Sequence, residues 1–243
     1  YYYHGPAVLA NVPGDQATAA ASLNTLTAGK QRVVYVQWYL STSDPEQLMP
    51  YLLQKYGRLV DDHTFRGYRE RTFALPPNTN FILDQPSAPA NANFDHILQL
   101  AGVAMNPSID GDARLASRLG QPVVVSGQKL MLALRWRLLQ AVTTDYKASV
   151  YLTDDEGHVG GQADLLLRRD QATTTRWPPG QEAVDYYVLP TVDGLMPGHY
   201  SVDLAVYPDG EQQRLRVLDT AGAPGGGSAS IGRVDVLPPT SPS

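Results

Sequence analysis

The sequence contains no cysteine, and this absence removes several chemistries at once. Disulfides, thiolate zinc sites and cysteine nucleophiles all need a thiol. Long apolar runs are also missing: no stretch of about 18 apolar residues is present, so no segment of the sequence is predicted to span a bilayer. The chain starts at Tyr1 without an initiator methionine or a signal peptide, and we therefore expect it to be a piece of a larger protein.

Positive charge is scarce. Lysine and arginine number 19 against 24 aspartates and glutamates, which gives a net charge of −5, and charged residues make up only 18% of the chain. Phosphate backbones and anionic lipid surfaces attract clustered lysine and arginine. The sequence has no such cluster, so we exclude nucleic acid as a partner and predict no polybasic membrane-surface segment.

The motifs of phosphate, cofactor and nucleophile sites are absent as well. The sequence has no G-x-G-x-x-G, no G-x-x-x-x-G-K-[ST], no H-E-x-x-H and no G-x-S-x-G. Its five histidines do not share helical or strand spacing: His4, His63, His96, His158 and His199. We therefore predict no cofactor and assign no catalytic residue. A pair of carboxylates for glycoside hydrolysis stays open, because their separation is a spatial quantity.

What is present begins with an α-β-α-β-β pattern over residues 15–75. Asp15 is placed to cap a helix that runs to about Thr27. The β-branched and aromatic run RVVYVQWYL at 32–40 predicts a buried strand. A second helix is predicted next, and two short strands follow it at 58–61 and 68–76.

The second helix, over residues 43–57, carries its own start and bend signals. Asp44 is expected to be the N-cap, with Pro45 at the first helical position. Pro50 lacks a backbone donor and should bend the helix. A helix between two strands predicts a parallel crossover, and residues 1–75 are therefore interpreted as a small α/β unit.

Residues 76–95 differ in composition from the residues before them. They hold four prolines and four asparagines, which predicts a connector. Over residues 96–237, short β-type runs alternate with turn signals such as SGQ, DDEG and YPDG, which is typical of a sandwich or a barrel. The predicted strands are 96–104, 122–126, 129–138, 147–153, 159–166, 183–189, 199–207, 213–218 and 231–236. Residues 238–243 are predicted to be a disordered tail.

The strand at 129–138 shows the strictest alternation. One face carries Leu130, Leu132, Leu134, Trp136 and Leu138. This pattern places Trp136 in the core. The predicted fold class is therefore α+β, a small α/β unit followed by an antiparallel β-sandwich of the immunoglobulin-like or jelly-roll type.

One aromatic cluster is a candidate ligand site. The run RWPPGQEAVDYYVLP sets Trp177 beside two prolines and a glycine, ahead of Tyr186 and Tyr187. Aromatic faces of this kind stack on apolar surfaces such as one side of a sugar ring. The alternative is that Trp177 covers a corner of the sandwich, with Gly180 taking the turn conformation. Strand alternation would then turn one tyrosine inward and the other outward.

A weaker candidate is a cation site. Asp110 and Asp112 form an Asp-x-Asp pair, and Asp154 or Asp155 could add further oxygen ligands. The alternative is a turn with solvated carboxylates, because the remainder of a calcium-loop pattern does not follow. The prediction is therefore no metal, with these two aspartates as the candidates for one.

Several stretches resemble one known family. Residues 134–164 carry an L-x-W strand and TTDYKASVYL followed by D-x-x-G, and residues 176–218 carry W-x-P-G, D-x-Y-x-L-P and P-G-x-Y. With the closing GRVDV, these motifs resemble the C-terminal extracytoplasmic β-sandwich of bacterial membrane glycosyltransferases related to dolichyl-phosphate-mannose–protein mannosyltransferases. The resemblance covers residues 120–237, and less specifically 15–75.

The resemblance implies an accessory role. The catalytic acid of such enzymes lies in a loop between early membrane helices, so it has no counterpart in this chain. We expect a non-catalytic extracytoplasmic domain in the bacterial cell envelope that aids acceptor recognition or assembly. Its partners would be a glycan or protein acceptor and the membrane-embedded part of the same parent chain. Two other interpretations stay open: a carbohydrate- or protein-binding module of an exported protein, and an enzyme in its own right.

Overall fold

The computed structural model describes residues 18–38, 46–106, 122–169, 172–219 and 221–239. The chain divides into two compact units, Tyr1–Leu83 and Asp84–Ser243. Within the described ranges, strands dominate and the two α-helices are short. None of the helices in these ranges is both long and apolar enough to cross a membrane.

The first unit has the predicted element order with a different sheet. Its elements are α1 Ala19–Leu26, β1 Arg32–Trp38, α2 Leu48–Tyr56, β2 Arg58–Phe65 and β3 Tyr68–Ala74. The strand order is β1-β3-β2, and β3 is antiparallel to both neighbours. Strands β1 and β2 therefore run in the same direction, as a crossover requires, but β3 lies between them. A tight hairpin through Gly67, with φ of +97°, brings β3 back beside β2.

The predicted bend at Pro50 does not occur, because α2 begins later than expected. The helix starts after Gln47, so Pro50 lies in its first turn. Backbone N–H groups in the first turn have no intrahelical acceptor, and a proline there loses nothing. The predicted caps Asp15 and Asp44 lie outside the described residues.

Strand β1 is not the buried strand that its composition predicts. In the described part of the sheet it pairs with β3 alone, and Val34, Val36 and Trp38 on one face are exposed. A continuous apolar run predicts burial only when both faces of the sheet are covered. The core of this unit lies elsewhere, around Leu52, Phe73 and other buried side chains of the helices and β3.

The second unit is a β-sandwich. Its strands are β4 Ala88–Phe94, β5 Leu98–Asn106, β6 Val123–Val125, β7 Lys129–Leu138, β8 Tyr146–Thr153, β9 Val159–Leu166, β10 Arg168–Arg169, β11 Ala172–Thr173, β12 Glu182–Pro190, β13 Gly198–Pro208, β14 Val217–Leu218 and β15 Ala229–Leu237. One sheet has the order β12-β7-β5-β4-β14 and the other β6-β15-β13-β8-β9, while β10 and β11 pair separately. All pairings are antiparallel except β6 with β15.

Most strands follow the predicted bounds within two residues, and three regions differ. The short strands β10 and β11 were not predicted. Strand β4 lies in the segment predicted as a connector, 76–95, where prolines and asparagines obscured its alternation. Of the predicted strand 213–218, only Val217–Leu218 is paired. Residues 238–239 have no regular structure, and the remainder of the predicted tail lies outside the described residues.

Trp136 is fully buried between the two sheets, as its alternation predicts. Its ring lies 6.0 Å from that of Phe94, centroid to centroid, and apolar side chains of both sheets surround it. The opposite face of β7 differs from expectation, because Met131 and Ala133 are buried as well. The outer side of this sheet is therefore partly covered.

Replacing Trp136 with alanine should destabilise the sandwich by about 3–5 kcal/mol, because a large ring is removed from a close-packed layer. Denaturant unfolding of the whole chain measures this. Met196→Ala is the control: that side chain is 73% exposed, and the free energy of unfolding should change by less than about 0.5 kcal/mol. A Trp136→Ala chain as stable as the control would contradict the placement.

Candidate functional site

Trp177 does not offer a face for stacking. It is 4% exposed and packs into the inter-sheet core, and its Nε1 donates a hydrogen bond to the Ala172 carbonyl at 2.8 Å. It follows a short 3-10 turn, Thr174–Arg176, and Gly180 has a φ of +82°. The arrangement is that of a sandwich corner, the alternative that the sequence left open.

Tyr186 and Tyr187 are both buried, although they point to opposite sides of β12. Tyr187 lies in the inter-sheet core. Tyr186 lies on the outer side, where its hydroxyl donates to the Asp84 carbonyl at 2.9 Å. The two rings point inward and outward as alternation predicts, and the outward ring is buried because the segment before β4 covers this side of the sheet. An added Cβ at Gly102 would lie 2.6 Å from the Pro86 carbonyl oxygen, which shows how closely that segment approaches.

The structure describes only some of the candidate cation ligands. Asp110 and Asp112 lie outside the described residues. Asp154 lies in the β8–β9 turn, and its ligand atoms come within 4.8 Å of those of Glu156 and His158. The Asp154 carboxylate accepts backbone N–H groups of Glu156 and His158 at 3.1 and 2.8 Å, and its Oδ2 lies 3.0 Å from Nδ1 of His158. These bonds close the turn, and the carboxylate is already engaged by the protein.

A different surface gathers polar and aromatic side chains. Strands β8, β9 and β13 are neighbours, and their outward residues meet in register: Tyr151 opposite Gln162 and Asp203, and Ser149 opposite Asp164 and Ala205. Partners opposite each other project from the same side of a sheet. We call this surface the tyrosine face, and define it by Ser149, Tyr151, Gln162, Asp164, Asp203, Ala205, Tyr207 and Arg214.

Asp164 is the centre of the hydrogen bonding on the tyrosine face. The Tyr207 hydroxyl donates to its Oδ1 at 2.9 Å, and Nε2 of Gln162 lies 2.8 Å from its Oδ2. The same Gln162 amide reaches Oγ of Ser149 at 3.2 Å. Ser149 is buried, so three longer side chains form a fixed layer above a small residue. This layer is held by hydrogen bonds on both carboxylate oxygens.

The surroundings of the Tyr207 hydroxyl raise its pKa. Burial, followed by the hydrogen bond and the negative charge of Asp164, raises the pKa of Tyr207 from 10.0 to about 12. The neutral hydroxyl is therefore the stable form at every physiological pH. It serves as a donor to Asp164, which leaves the ring and the remaining lone pairs of both groups toward solvent.

Arg214 forms the rim of the tyrosine face. It lies on the segment between β13 and β14, and its guanidinium carbon lies 5.7 Å from the centre of the Tyr151 ring. Its Nη1 is 3.5 Å from the Tyr151 hydroxyl. Gly227 supports the stem of this side chain, since an added Cβ there would lie 3.3 Å from the Arg214 Cβ. Arginine beside tyrosine gives the rim donors in a fixed direction.

The tyrosine face combines what a polyhydroxylated ligand needs. It has two half-buried rings and carboxylate and amide groups on neighbouring strands, with a guanidinium donor on the segment between β13 and β14. The histidines of the described segments pair as His63 with Asp61, His96 with Asn93, His158 with Asp154 and His199 with Asp235. None of these bonds reaches a serine hydroxyl, so the described ranges contain no serine activated by histidine.

Known proteins offer little comparison. No protein-family model matches the chain, and no curated protein matches it. Its structure is similar to the crystal structure of the C-terminal domain of Wzt, with a TM-score of 0.40 and 10% sequence identity over 63% of this chain and 82% of that chain. A likeness of this size carries no conclusion about function.

Sequence reasoning missed the tyrosine face, although a signal was present. In AVYPDG and SVYLT, an aromatic residue occupies the solvent side of an otherwise alternating strand. Large aromatic residues normally fill the apolar side. Tyr151 and Tyr207 therefore stood on the wrong side of their strands for a purely structural role, and their positions could have been singled out.

The Tyr207 hydroxyl should make stability depend on alkaline pH. Below pH 10 the hydroxyl is protonated in both the folded and the unfolded chain. The gap between the free energies of unfolding of the wild-type chain and Tyr207→Phe is therefore at its full size. Between pH 10 and about 12 the unfolded chain loses the proton while the folded chain retains it, so the gap should narrow. Denaturant unfolding of both chains from pH 8 to 11 measures the gap. A gap that widens above pH 10 would contradict the assignment.

Proposed function

We propose that the chain is a non-catalytic extracytoplasmic accessory domain of a membrane glycosyltransferase, and that its tyrosine face holds the glycan acceptor. The observation that carries this proposal is the assembly of Tyr151, Tyr207, Asp164 and Arg214 on one solvent-facing side of the sandwich. Sugar rings have an apolar side and a rim of hydroxyls that both donate and accept. Aromatic rings beside fixed acceptors and donors complement both features.

The expected affinity is weak. Each net hydrogen bond contributes about 1 kcal/mol, and a ring contact contributes a similar amount. Ordering a flexible glycan costs part of this gain. A few such contacts sum to about 4 kcal/mol, which corresponds to a Kd near 1 mM. Such an affinity suits a domain that guides an acceptor toward a separate catalytic centre.

We also propose that the sandwich is immunoglobulin-like rather than a jelly roll. In immunoglobulin domains, strands A, B and E share one sheet and C, F and G share the other. Strands β5, β7 and β12 occur in the A-B-E order, and β8, β13 and β15 in the C-F-G order. The short β6 beside β15 would be the detached half of the first strand.

A tyrosine at the start of β13 supports the same proposal. Tyr200 is buried, and its hydroxyl donates to the Met196 carbonyl four residues upstream at 2.9 Å. Immunoglobulin-like domains place such a tyrosine at the corner before strand F, with its hydroxyl bonded to the upstream backbone. The motif P-G-x-Y at 197–200, on which part of the family resemblance depends, would therefore be this corner.

The membrane-embedded part of the parent chain is the second proposed partner. The sequence of the complete gene tests it: a series of apolar spans upstream of Tyr1 would support the accessory role. A single signal peptide would instead favour a binding module of an exported protein.

Tyr200→Phe should destabilise the chain by about 1 kcal/mol, because the hydrogen bond from the buried Tyr200 to the Met196 carbonyl is lost. The matched control is Tyr56→Phe, which removes an exposed hydroxyl bonded to the Ile82 carbonyl at 3.1 Å. That change should cost less than about 0.5 kcal/mol. Equal losses in denaturant unfolding would contradict a corner that fixes the entry to β13.

Tyr151→Ala should weaken glycan binding at the tyrosine face at least about tenfold, because it removes the ring and releases the Arg214 rim. Titration calorimetry of the whole chain with mannose and glucose oligosaccharides should give a Kd near 1 mM, and the variant should lose the binding heat that comes from this site. Met196→Ala controls for loss of an exposed apolar side chain and should bind normally. Micromolar binding unaffected by Tyr151→Ala would overturn the site, and sugar transfer or hydrolysis by the purified chain would overturn the accessory role.

A further inference from the structure

Three aromatic side chains form a row across the sheet of the first unit. Trp38 on β1 and Phe65 on β2 both lie opposite Tyr68 on β3, so the three rings project from the same side. The Trp38 and Tyr68 centroids are 5.8 Å apart at 27°, and those of Phe65 and Tyr68 are 4.7 Å apart at 17°. We call these three residues the aromatic row.

Trp38, at one end of the aromatic row, is exposed to solvent. Tyr68 is stacked on both sides, whereas among the described residues Trp38 is stacked on Tyr68 only, and it is 63% exposed. Phe65 is 45% exposed, and its outer side meets the His63 ring at 6.0 Å. The other two tryptophans of the chain are buried in the sandwich. An indole held against a neighbouring ring, with its other face toward solvent, is preorganised for a stacking ligand.

Polar groups lie directly beside the row. Two residues further along each strand, on the same side of the sheet, Val36, Glu70 and His63 lie side by side. Nε2 of His63 is 3.0 Å from Oδ1 of Asp61, which also lies on this side. The two carboxylates can accept hydroxyl groups and repel anions. The neighbourhood is therefore suited to a neutral ligand that carries hydroxyls.

The surface is too small for a stable protein interface. Three strands about 4.8 Å apart and about seven residues long at about 3.3 Å per residue cover roughly 300 Å². Standard protein interfaces bury about 800 Å² on each partner. One or two sugar rings fit a surface of this size, so its dimensions favour a small ligand.

We infer that the aromatic row is a second glycan site, one that stacks a neutral sugar on the solvent-facing side of Trp38 while Glu70 accepts its hydroxyls. The site shares no residue with the tyrosine face, and its residues belong to the first unit. The negative charges of Glu70 and Asp61 should disfavour uronic acids and other anionic sugars.

The test uses tryptophan fluorescence, because Trp38 is the exposed one of the three tryptophans. Maltohexaose and mannohexaose are the neutral probes, and oligogalacturonate is the anionic one. A neutral probe should protect Trp38 from iodide quenching with millimolar saturation, and oligogalacturonate should not. Phe65→Ala removes one support of the row while keeping Trp38, and should weaken protection at least about fivefold. Ile82→Ala, which changes another exposed apolar side chain of this unit, should leave protection unchanged.

Two further arms distinguish sugar binding at the aromatic row from sugar binding at the tyrosine face. Tyr151→Ala should leave Trp38 protection unchanged even when it abolishes binding at the tyrosine face. In a Tyr151→Ala chain, saturation-transfer NMR should still show a sugar signal, and adding Trp38→Ala to that chain should remove it. The inference is overturned if neither neutral probe protects Trp38, if oligogalacturonate protects it equally, or if Phe65→Ala has no effect. Protection by neutral lipid vesicles or by self-association, without protection by sugar, also overturns it.

Discussion

The period-two alternation of the sandwich strands is the constraint on which the remaining structure depends. Once the apolar layer around Trp136 fixes which side of a strand faces inward, every alternate residue must face outward. Val150 and Leu152 lie in the core, so Tyr151 between them has to lie on the tyrosine face. A register shift of one residue would place that ring in the core and two aliphatic residues in water. The alternation that packs the core therefore also fixes which residues form the tyrosine face.

Alternation made the sandwich predictable from sequence and also set the limit of that prediction. It located the strands and the burial of Trp136, because both depend on neighbours along the chain. It did not indicate that Tyr186 and the outer side of β7 are buried, because the cover there comes from the distant segment near Asp84 and Pro86. An outward-pointing residue is exposed or buried according to whether a segment distant in sequence covers the sheet. The alternation of residues along one strand does not show this.

The candidate sites were harder to predict for a related reason. Asp164, Tyr207 and Arg214 come from separate segments, and only the strand order β13-β8-β9 brings them together. The aromatic row depends in the same way on β3 lying between β1 and β2. The sequence left two interpretations of Trp177 open, a stacking ring and a sandwich corner, because turn residues beside a tryptophan are compatible with both. Its burial depends on packing between the sheets, which the local context does not contain.

The tyrosine face and the aromatic row share a physical feature that supports the proposed binding of glycans. Side chains on neighbouring strands lose little further freedom on binding, since hydrogen bonds and ring stacking already hold them. On the tyrosine face Asp164 supplies that order, and in the aromatic row Tyr68 supplies it. The entropy cost of binding then lies mainly with the glycan, so small contact energies suffice for weak association.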